Sequence, residues 1–599
     1  MNRIILSLLA LIAVGCSGGN DGLWLNCGVP APQGEPYYEY RILDHWDNLD
    51  NSVERGYAGE SIWNWTGELP RERIEQYGRL NQSIGINGCV LNNVNANPKI
   101  LTEEYLTRVS KIAGILREYG IKSYLSINFA SPLALGDCPS ADPLDQDVIA
   151  WWNAKVERIY ELIPDFGGFL VKASSEGQPG PQDFGRSHAD GANMLAAALA
   201  PHGGIVMWRS FVYSASSPDR ANQAVEEFKP LDGEFLSNVI IQIKNGPVDF
   251  QPREPVSPLF FNMEKTAVMP ELQVTQEYLG QAWHLTYLGT MWEEFFATLF
   301  DGSLEVTAGR DSGIRPYENG DRLAIAGVAN TGQDESWCGH IFSQANWYAF
   351  GRLAWNPTLS AEQIAEEWLR GTFRKPWWCS QKRFTQKFIA PVKNMMMRSR
   401  EACVDYEMPL GFHHLFNGSH YGPGPWQKAP RPDWMPAYYH KAAADGIGFD
   451  RTMATGSGNT AQYPDPLRSK YENIESCPEN LLLWFHHVPW DYRMKNGNMV
   501  WDEICRHYDN GISETQDFLK IWSSVKPFVD KERWSAVQER LLIQEADARW
   551  WRDACVQYFG TFSGMSVPED VRQPEIPLDS LMRRLGNPPT NTVVENSSF

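Results

Sequence analysis

What this chain of 599 residues lacks narrows it first. It has no CxxC pair, no Cys/His set at metal-ligand spacing and no HExxH, which removes zinc-finger, zinc-ribbon and zincin chemistry and predicts no metal site. It has no low-complexity tract, and beyond its first fifteen residues no apolar run long enough to span a bilayer. Positive charge is scarce: 53 Lys and Arg against 73 Asp and Glu give a formal net charge of −20. That excludes nucleic acid, or any polyanion gripped across a broad face, as a partner. A small anionic ligand is still allowed, because charges are screened over about 10 Å and a local group of cations governs its own pocket.

The N-terminus is a separate matter. Met1–Gly15 places one basic residue before a short apolar core that ends in small residues, the pattern of an export signal. Cys16 follows Gly15 directly, as in a bacterial lipobox, which predicts cleavage before Cys16 and lipidation of its thiol. The alternative is an ordinary secretory signal with a bystander cysteine. Residues 16–37 then read as a tether. The expectation is an exported lipoprotein of a bacterial cell envelope, on its periplasmic or surface side, touching membrane only through the lipid. Ten cysteines less this one leave nine, an odd number. A complete disulfide framework is therefore not implied, and most of the nine should be buried thiols.

What is present is a globular composition, 43% hydrophobic and 21% charged, rich in aromatics with 24 tryptophans. Indoles fill cores, and they also stack on the flat faces of sugars. Short apolar runs alternate with helix-length stretches. The strand-like runs are 56–65, 88–94, 121–129, 167–173, 204–211, 238–243, 266–273 and 322–329. Between them, 70–84, 102–119 and 148–163 carry helical patterns, the second opening on a Thr102 cap followed by Glu103 and Glu104. Eight such strands at this rhythm predict an α/β fold, a (β/α)8 TIM barrel over residues 38–374. Long helical stretches at 384–400, 499–520 and 531–559 then predict a mainly α-helical C-terminal domain over 375–599. Two loops within it, 411–426 and 486–493, are rich in aromatics, His and Gly, and either could lie over the barrel mouth.

Several strand-like runs end in charged residues, where a barrel builds its active site. Phe169-Leu-Val-Lys172 is followed by Glu176 and a Gly/Pro turn; Val206-Met-Trp ends in Arg209; Val239-Ile-Ile-Gln-Ile ends in Lys244, with Asp249 next; Glu277 follows the seventh run. Hydrolysis of a glycosidic bond needs a proton donor on the leaving oxygen and a carboxylate partner across the sugar. Glu176, among apolar, Gly and Pro neighbours, suits the acid if desolvation raises its pKa towards neutrality. Asp249 and Glu277 would hold a water between them. Lys172, Arg209 and Lys244 sit on three consecutive strand ends. They either neutralise these acids or bind a substrate carboxylate, hence a uronic acid, and the two roles are compatible.

These segments resemble the α-glucuronidases of glycoside hydrolase family 67. The likeness rests on His45-Trp-Asp-Asn-Leu-Asp50 with Arg55-Gly-Tyr-Ala-Gly59, Asn92-Asn-Val-Asn-Ala-Asn97, Lys172-Ala-Ser-Ser-Glu-Gly-Gln-Pro-Gly-Pro181, Met207-Trp-Arg209, Ile243-Lys-Asn-Gly-Pro-Val-Asp249 and the 413–426 loop. The resemblance implies an inverting hydrolase that releases 4-O-methyl-D-glucuronic acid, α-1,2-linked to the non-reducing-end xylose of xylo-oligosaccharides. It casts Glu176 as general acid and Asp249 with Glu277 as the pair that activates water. Lys172, Arg209 and Lys244 become contacts to the uronic acid, with Val94 near its methoxyl group. Trp46 becomes a stacking platform and Trp426 a wall from the helical domain. The family needs no cofactor, and several members are homodimers. It also usually carries a further N-terminal domain ahead of the His45 segment, and the expectation here is a member without that domain. A hydrolase of another uronosyl linkage, or a surface lipoprotein that binds glycan without turnover, are the competing readings.

Overall fold

The computed structural model describes residues 32–55, 59–211, 217–301, 324–333, 336–584 and 586–589. Cys16 and the rest of the expected signal and tether up to residue 31 lie outside them. Eight parallel strands close into a barrel in chain order: β1 (Tyr40–Asp44), β2 (Gly88–Val90), β3 (Lys122–Ile127), β4 (Gly168–Val171), β5 (Ile205–Arg209), β6 (Val239–Lys244), β7 (Val268–Gln273) and β8 (Ala324–Val328). β8 returns to β1 in the register Tyr40↔Ala324 through Asp44↔Val328. The strands are buried on both faces, so they read as apolar runs rather than as strict alternation.

Helices wrap the outside: α1 (Arg71–Ser83), α2 (Glu103–Arg117), α3 (Gln146–Leu162), α4 (His188–Leu199), α5 (Gln223–Phe228), α6 (Gly289–Asp301) and α7 (Ile341–Trp355). Their starts are written locally. The Asp145 side chain caps α3 by accepting Asp147 N–H, and Ser187 with Asp190 forms a capping box on α4. The β6–β7 connection carries no α-helix, only a 3-10 turn at Pro258–Phe261. Its length is used for site-building loop instead.

The first strand is Tyr40–Asp44, not the 56–65 segment that the pattern predicts. Ile62, Trp63 and Trp65 are buried there, which mimics a core strand, but Asn64 has φ +46°, a conformation no strand accommodates. The true strand is disguised by Arg41. Its guanidinium reaches back to the carbonyls of Tyr38 and, at 2.5 Å, Gly85, so a charge sits inside a buried run.

Beyond the barrel come α8 (Ala361–Thr372), α9 (Ala390–Glu407), α10 (Val500–Val525) and α11 (Lys531–Ser563), with α9 and α11 both packed on α10. The same apolar core continues from Tyr38 in the barrel to Phe559 in α11. Polar contacts also cross: His284, beyond β7, stands 3.0 Å from Asp547 of α11. All eight cysteines among the described residues are buried. No helix among the described residues is long and apolar enough to cross a membrane.

Candidate active site

At the C-terminal mouth of the barrel lies a cavity of about 540 Å³. The geometry of the fold dictates its lining. Lys172 is the first residue past β4, Arg209 and Lys244 are the last of β5 and β6, and Asp249 and Glu277 lie on the loops after β6 and β7. With Trp46 after β1, Val94 after β2 and Glu176 after β4, every predicted barrel residue faces this one cup. Trp426 does not. Its ring lies edge-on to Tyr558, 5.9 Å between centroids, and packs with Trp283, Tyr421 and Trp550. Trp434 from the same region lines the cup instead.

Each of the three carboxylates is paired with a cation. Glu176 is delivered by a strained turn, with Ser174 at φ +54°, Glu176 itself at +48° and Gly177 at +78°. This left-handed backbone folds the chain back, so Glu176 Oε2 meets Lys172 Nζ, which also donates to Asn95 Oδ1 at 2.8 Å. Burial pushes the Glu176 carboxyl up, but Lys172 and then Lys244 outweigh it and hold the group below its ordinary value. The sequence-based expectation of a raised value is therefore reversed, because Lys172, just past the end of β4, pairs with the carboxyl.

Asp249 Oδ1 takes a bond from Lys244 Nζ at 2.7 Å and its Oδ2 one from Tyr278 OH at 2.8 Å. Burial opposes ionisation here too, yet Lys244 and Arg220 drive the group far below the usual carboxylate range. Glu277 accepts from Arg55 Nε at 2.6 Å, His420 Nδ1 at 2.9 Å and Gln273 Nε2 at 2.8 Å. Burial is overcome by His420 and Arg55, and this carboxyl is also held low. The two acids are tied through their partners, since the Tyr278 and His420 rings stack at 4.7 Å and 24°. The result is a pair of ionised carboxylates lining one cup.

The cations have a second task. Arg209 grips Glu271 of β7 in a fork, Nε to Oε2 at 3.0 Å and NH2 to Oε1 at 2.9 Å, with both side chains almost fully buried. Arg209 nevertheless lines the cup. Gln242 Nε2 bonds Asp44 Oδ2 at 2.7 Å in the same polar layer. Burial and then the Glu271 charge push Asp44 up to about 8. The Phe211 ring lies among the cations, 3.4 Å from Lys244 Nζ and 5.6 Å from Lys172 and Arg209. Arg209 is thus balanced by a residue outside the predicted set. Glu271→Ala would strand a buried guanidinium, so it is expected to cost about 3–5 kcal/mol of stability and to weaken binding of a carboxylate ligand. An unchanged thermal midpoint would contradict this.

Arg55, Asn95, Phe211, Glu271, Tyr278 and His420 join the site beyond the residues that the sequence predicts. Arg55, Asn95 and His420 lie inside the resembling segments, and Tyr278 adjoins Glu277, so position in a motif was the available signal. Glu271 had none, being one polar residue in an apolar strand. Of the two loops expected near the mouth, 411–426 lines the cup through His414, Phe416, Asn417, Gly418 and His420, whereas no residue of 486–493 does.

Comparison with known sequences agrees with this layout. The chain matches the glycosyl hydrolase family 67 middle domain over residues 30–337 and the family 67 C-terminus over residues 338–572. It is 44% identical over 558 residues to alpha-glucuronidase A of Emericella nidulans, covering 90% of this chain and 64% of that protein. A probable alpha-glucuronidase A of Aspergillus flavus is 43% identical over 542 residues, 88% of this chain and 62% of that one. An alpha-glucuronidase of Hypocrea jecorina is 40% identical over 558 residues, 90% and 64% respectively. The chain therefore spans just under two thirds of the length of these relatives.

Proposed function

The chain belongs to glycoside hydrolase family 67, and from that premise we propose that it is an inverting α-glucuronidase. It would release glucuronic acid, with or without a 4-O-methyl group, from its α-1,2 link to the terminal non-reducing xylose of xylo-oligosaccharides. The observation that carries this reading is the convergence of three carboxylates and three strand-end cations on one cup. A neutral sugar would leave the cations without purpose beyond ion pairing, whereas a uronate offers them a carboxylate.

In this mechanism the uronate carboxylate docks among Lys172, Arg209 and Lys244. The water held by Asp249 and Glu277 attacks the anomeric carbon and gives its proton to that pair. The bond to xylose breaks as Glu176, which takes up a proton from solvent when substrate binds, protonates the leaving oxygen; the base pair then returns the water's proton to solvent, so protons and charge balance over the cycle. Inversion requires acid and base to stand on opposite faces of the sugar, about 6.5–9.5 Å apart with the water between. Val94 and Trp46 would meet the methoxyl group and sugar face.

The direct test is incubation with aldotetraouronic acid, following the released sugar by proton NMR. The β-anomer should appear first and mutarotate later. First appearance of the α-anomer would refute inversion, and no release from this substrate, with release from galacturonosides, would refute the linkage. We also propose export and anchoring through Cys16. Radiolabelled palmitate should enter the wild-type protein in a bacterial host and be lost in Cys16→Ser; labelling that persists would exclude this thiol as the anchor point.

A further inference from the structure

The β6–β7 connection holds a second buried carboxyl that the mechanism above does not use. Glu254 has a side chain only 1% exposed. Its Oε1 accepts the backbone N–H of Asp249 at 2.9 Å and of Gln251 at 3.2 Å, and its Oε2 accepts that of Val248 at 2.9 Å. One side chain thus gathers three backbone donors from the turn that carries Asp249. Asp249 Oδ1 takes the remaining N–H in that stretch, from Phe250 at 2.9 Å. A four-residue turn in which every N–H has a carboxyl acceptor has little freedom to rotate.

Glu254 is itself held from behind. Arg400 of α9 donates through Nε and NH2 to the Pro252 carbonyl, at 3.2 and 3.0 Å. Arg253 reaches Glu294 of α6 at 2.6 Å, and Arg400 reaches the other oxygen of Glu294 at 2.7 Å. The loop is therefore clamped just ahead of Glu254, at Pro252 and Arg253, by α6 and α9. The neighbouring His413 ring nitrogen stands 3.4 Å from Glu254 Oε1. Burial first, and then the charge on Asp249, raise Glu254 to about 8.

We propose that Glu254 is the positioning residue of the base: by accepting the N–H groups of Val248, Asp249 and Gln251 it fixes where Asp249 presents its carboxylate. This rests on reading Asp249 as one half of the water-activating pair. Glu254 touches no reacting atom, so its loss should act on turnover rather than on ligand affinity. A misplacement of about 1 Å at a catalytic group costs on the order of 100-fold in rate.

The test compares the full chain with Glu254→Gln and Glu254→Ala. Three readouts are needed: kcat and KM on aldotetraouronic acid, the Kd for glucuronate by calorimetry, and hydrogen exchange of the 248–251 amides by mass spectrometry. Glu254→Ala should lower kcat about 100-fold, leave KM and the glucuronate Kd within about threefold, and speed amide exchange about 100-fold. Glu254→Gln keeps one carbonyl acceptor and should recover about tenfold of the lost rate. A kcat within about threefold of wild type in Glu254→Ala, a loss confined to the glucuronate Kd, or a Gln variant no better than Ala would each overturn the proposal. If Glu254→Ala does not fold, Glu254→Gln decides it, since an unchanged kcat and unchanged exchange in that variant refute the role. If wild type turns over no uronoside, the glycosidase reading fails by itself. The exchange measurement then still judges the positioning claim, which stands if the alanine variant exchanges faster and falls if it does not.

Discussion

Glu176→Ala is expected to lose roughly 10²–10⁴-fold in kcat on a xylo-oligosaccharide substrate, the usual worth of a general acid, while losing far less on α-glucuronosyl fluoride. Fluoride departs without needing a proton, so only the poor leaving group exposes the missing acid. Equal losses on both substrates would remove Glu176 from that role. The structure adds a condition. Lys172 pairs with Glu176 and holds its carboxyl below the ordinary value. A uronate placed against Lys172 competes for the same ammonium and cancels part of its field, which lets the Glu176 pKa rise. The sign is definite: below the free-state pKa the acid is already protonated, and above the bound-state pKa it is ionised in both states. Between them, binding must take up a proton. Calorimetry of glucuronate binding in buffers of different ionisation enthalpy should reveal that uptake at mildly acid pH, and Glu176→Gln should abolish it. The basic limb of kcat should accordingly lie at higher pH than that of kcat/KM. Coincident limbs and no uptake would mean that Lys172 stays bound to Glu176 throughout.

Asp249→Ala has an effect of comparable size and opposite selectivity. Loss of half the base pair removes the grip on the attacking water, so kcat should fall by roughly 10²–10⁴-fold on the oligosaccharide and the fluoride alike. The site left behind is small and still cationic, through Lys244. Added azide should therefore restore part of the rate on the fluoride by attacking in place of water. The product would be the β-glucuronosyl azide, formed by displacement from the face opposite the departing group. An α-azide would instead indicate a covalent intermediate and retention. Tyr278→Phe is the milder companion variant, because it removes one bond to Asp249 but leaves Lys244 and the Phe250 N–H in place.

Much of this site was legible in one dimension because a parallel barrel is nearly a linear code. Each strand ends at the same rim, so a charge just past an apolar run is carried to the cup whatever lies between the runs. Lys172, Arg209 and Lys244 could be read that way, and so could Glu176, Asp249 and Glu277. Trp426 is not among the residues lining the cup, and no strand fixes its direction. It lies on a long loop of the helical region, where burial among Trp283, Tyr421 and Trp550 decides which way an indole turns. The first strand failed for a related reason, since Arg41 interrupts its apolar run while a buried turn nearby imitates one.

The sequence by itself determined the number and order of the strands after the first, the helical character of the C-terminal part and the residue types gathered at the rim. Those follow from local periodicity and from the polarity of each strand's end. Only the tertiary structure decided which charge answers which. It set Glu271 against Arg209 across the barrel, brought His420 from 143 residues away in the chain onto Glu277, and put Lys172 on Glu176, which holds that carboxyl low. The reason is that a carboxyl's proton affinity depends on charges within a few ångströms, and distance in space is what the closed barrel creates.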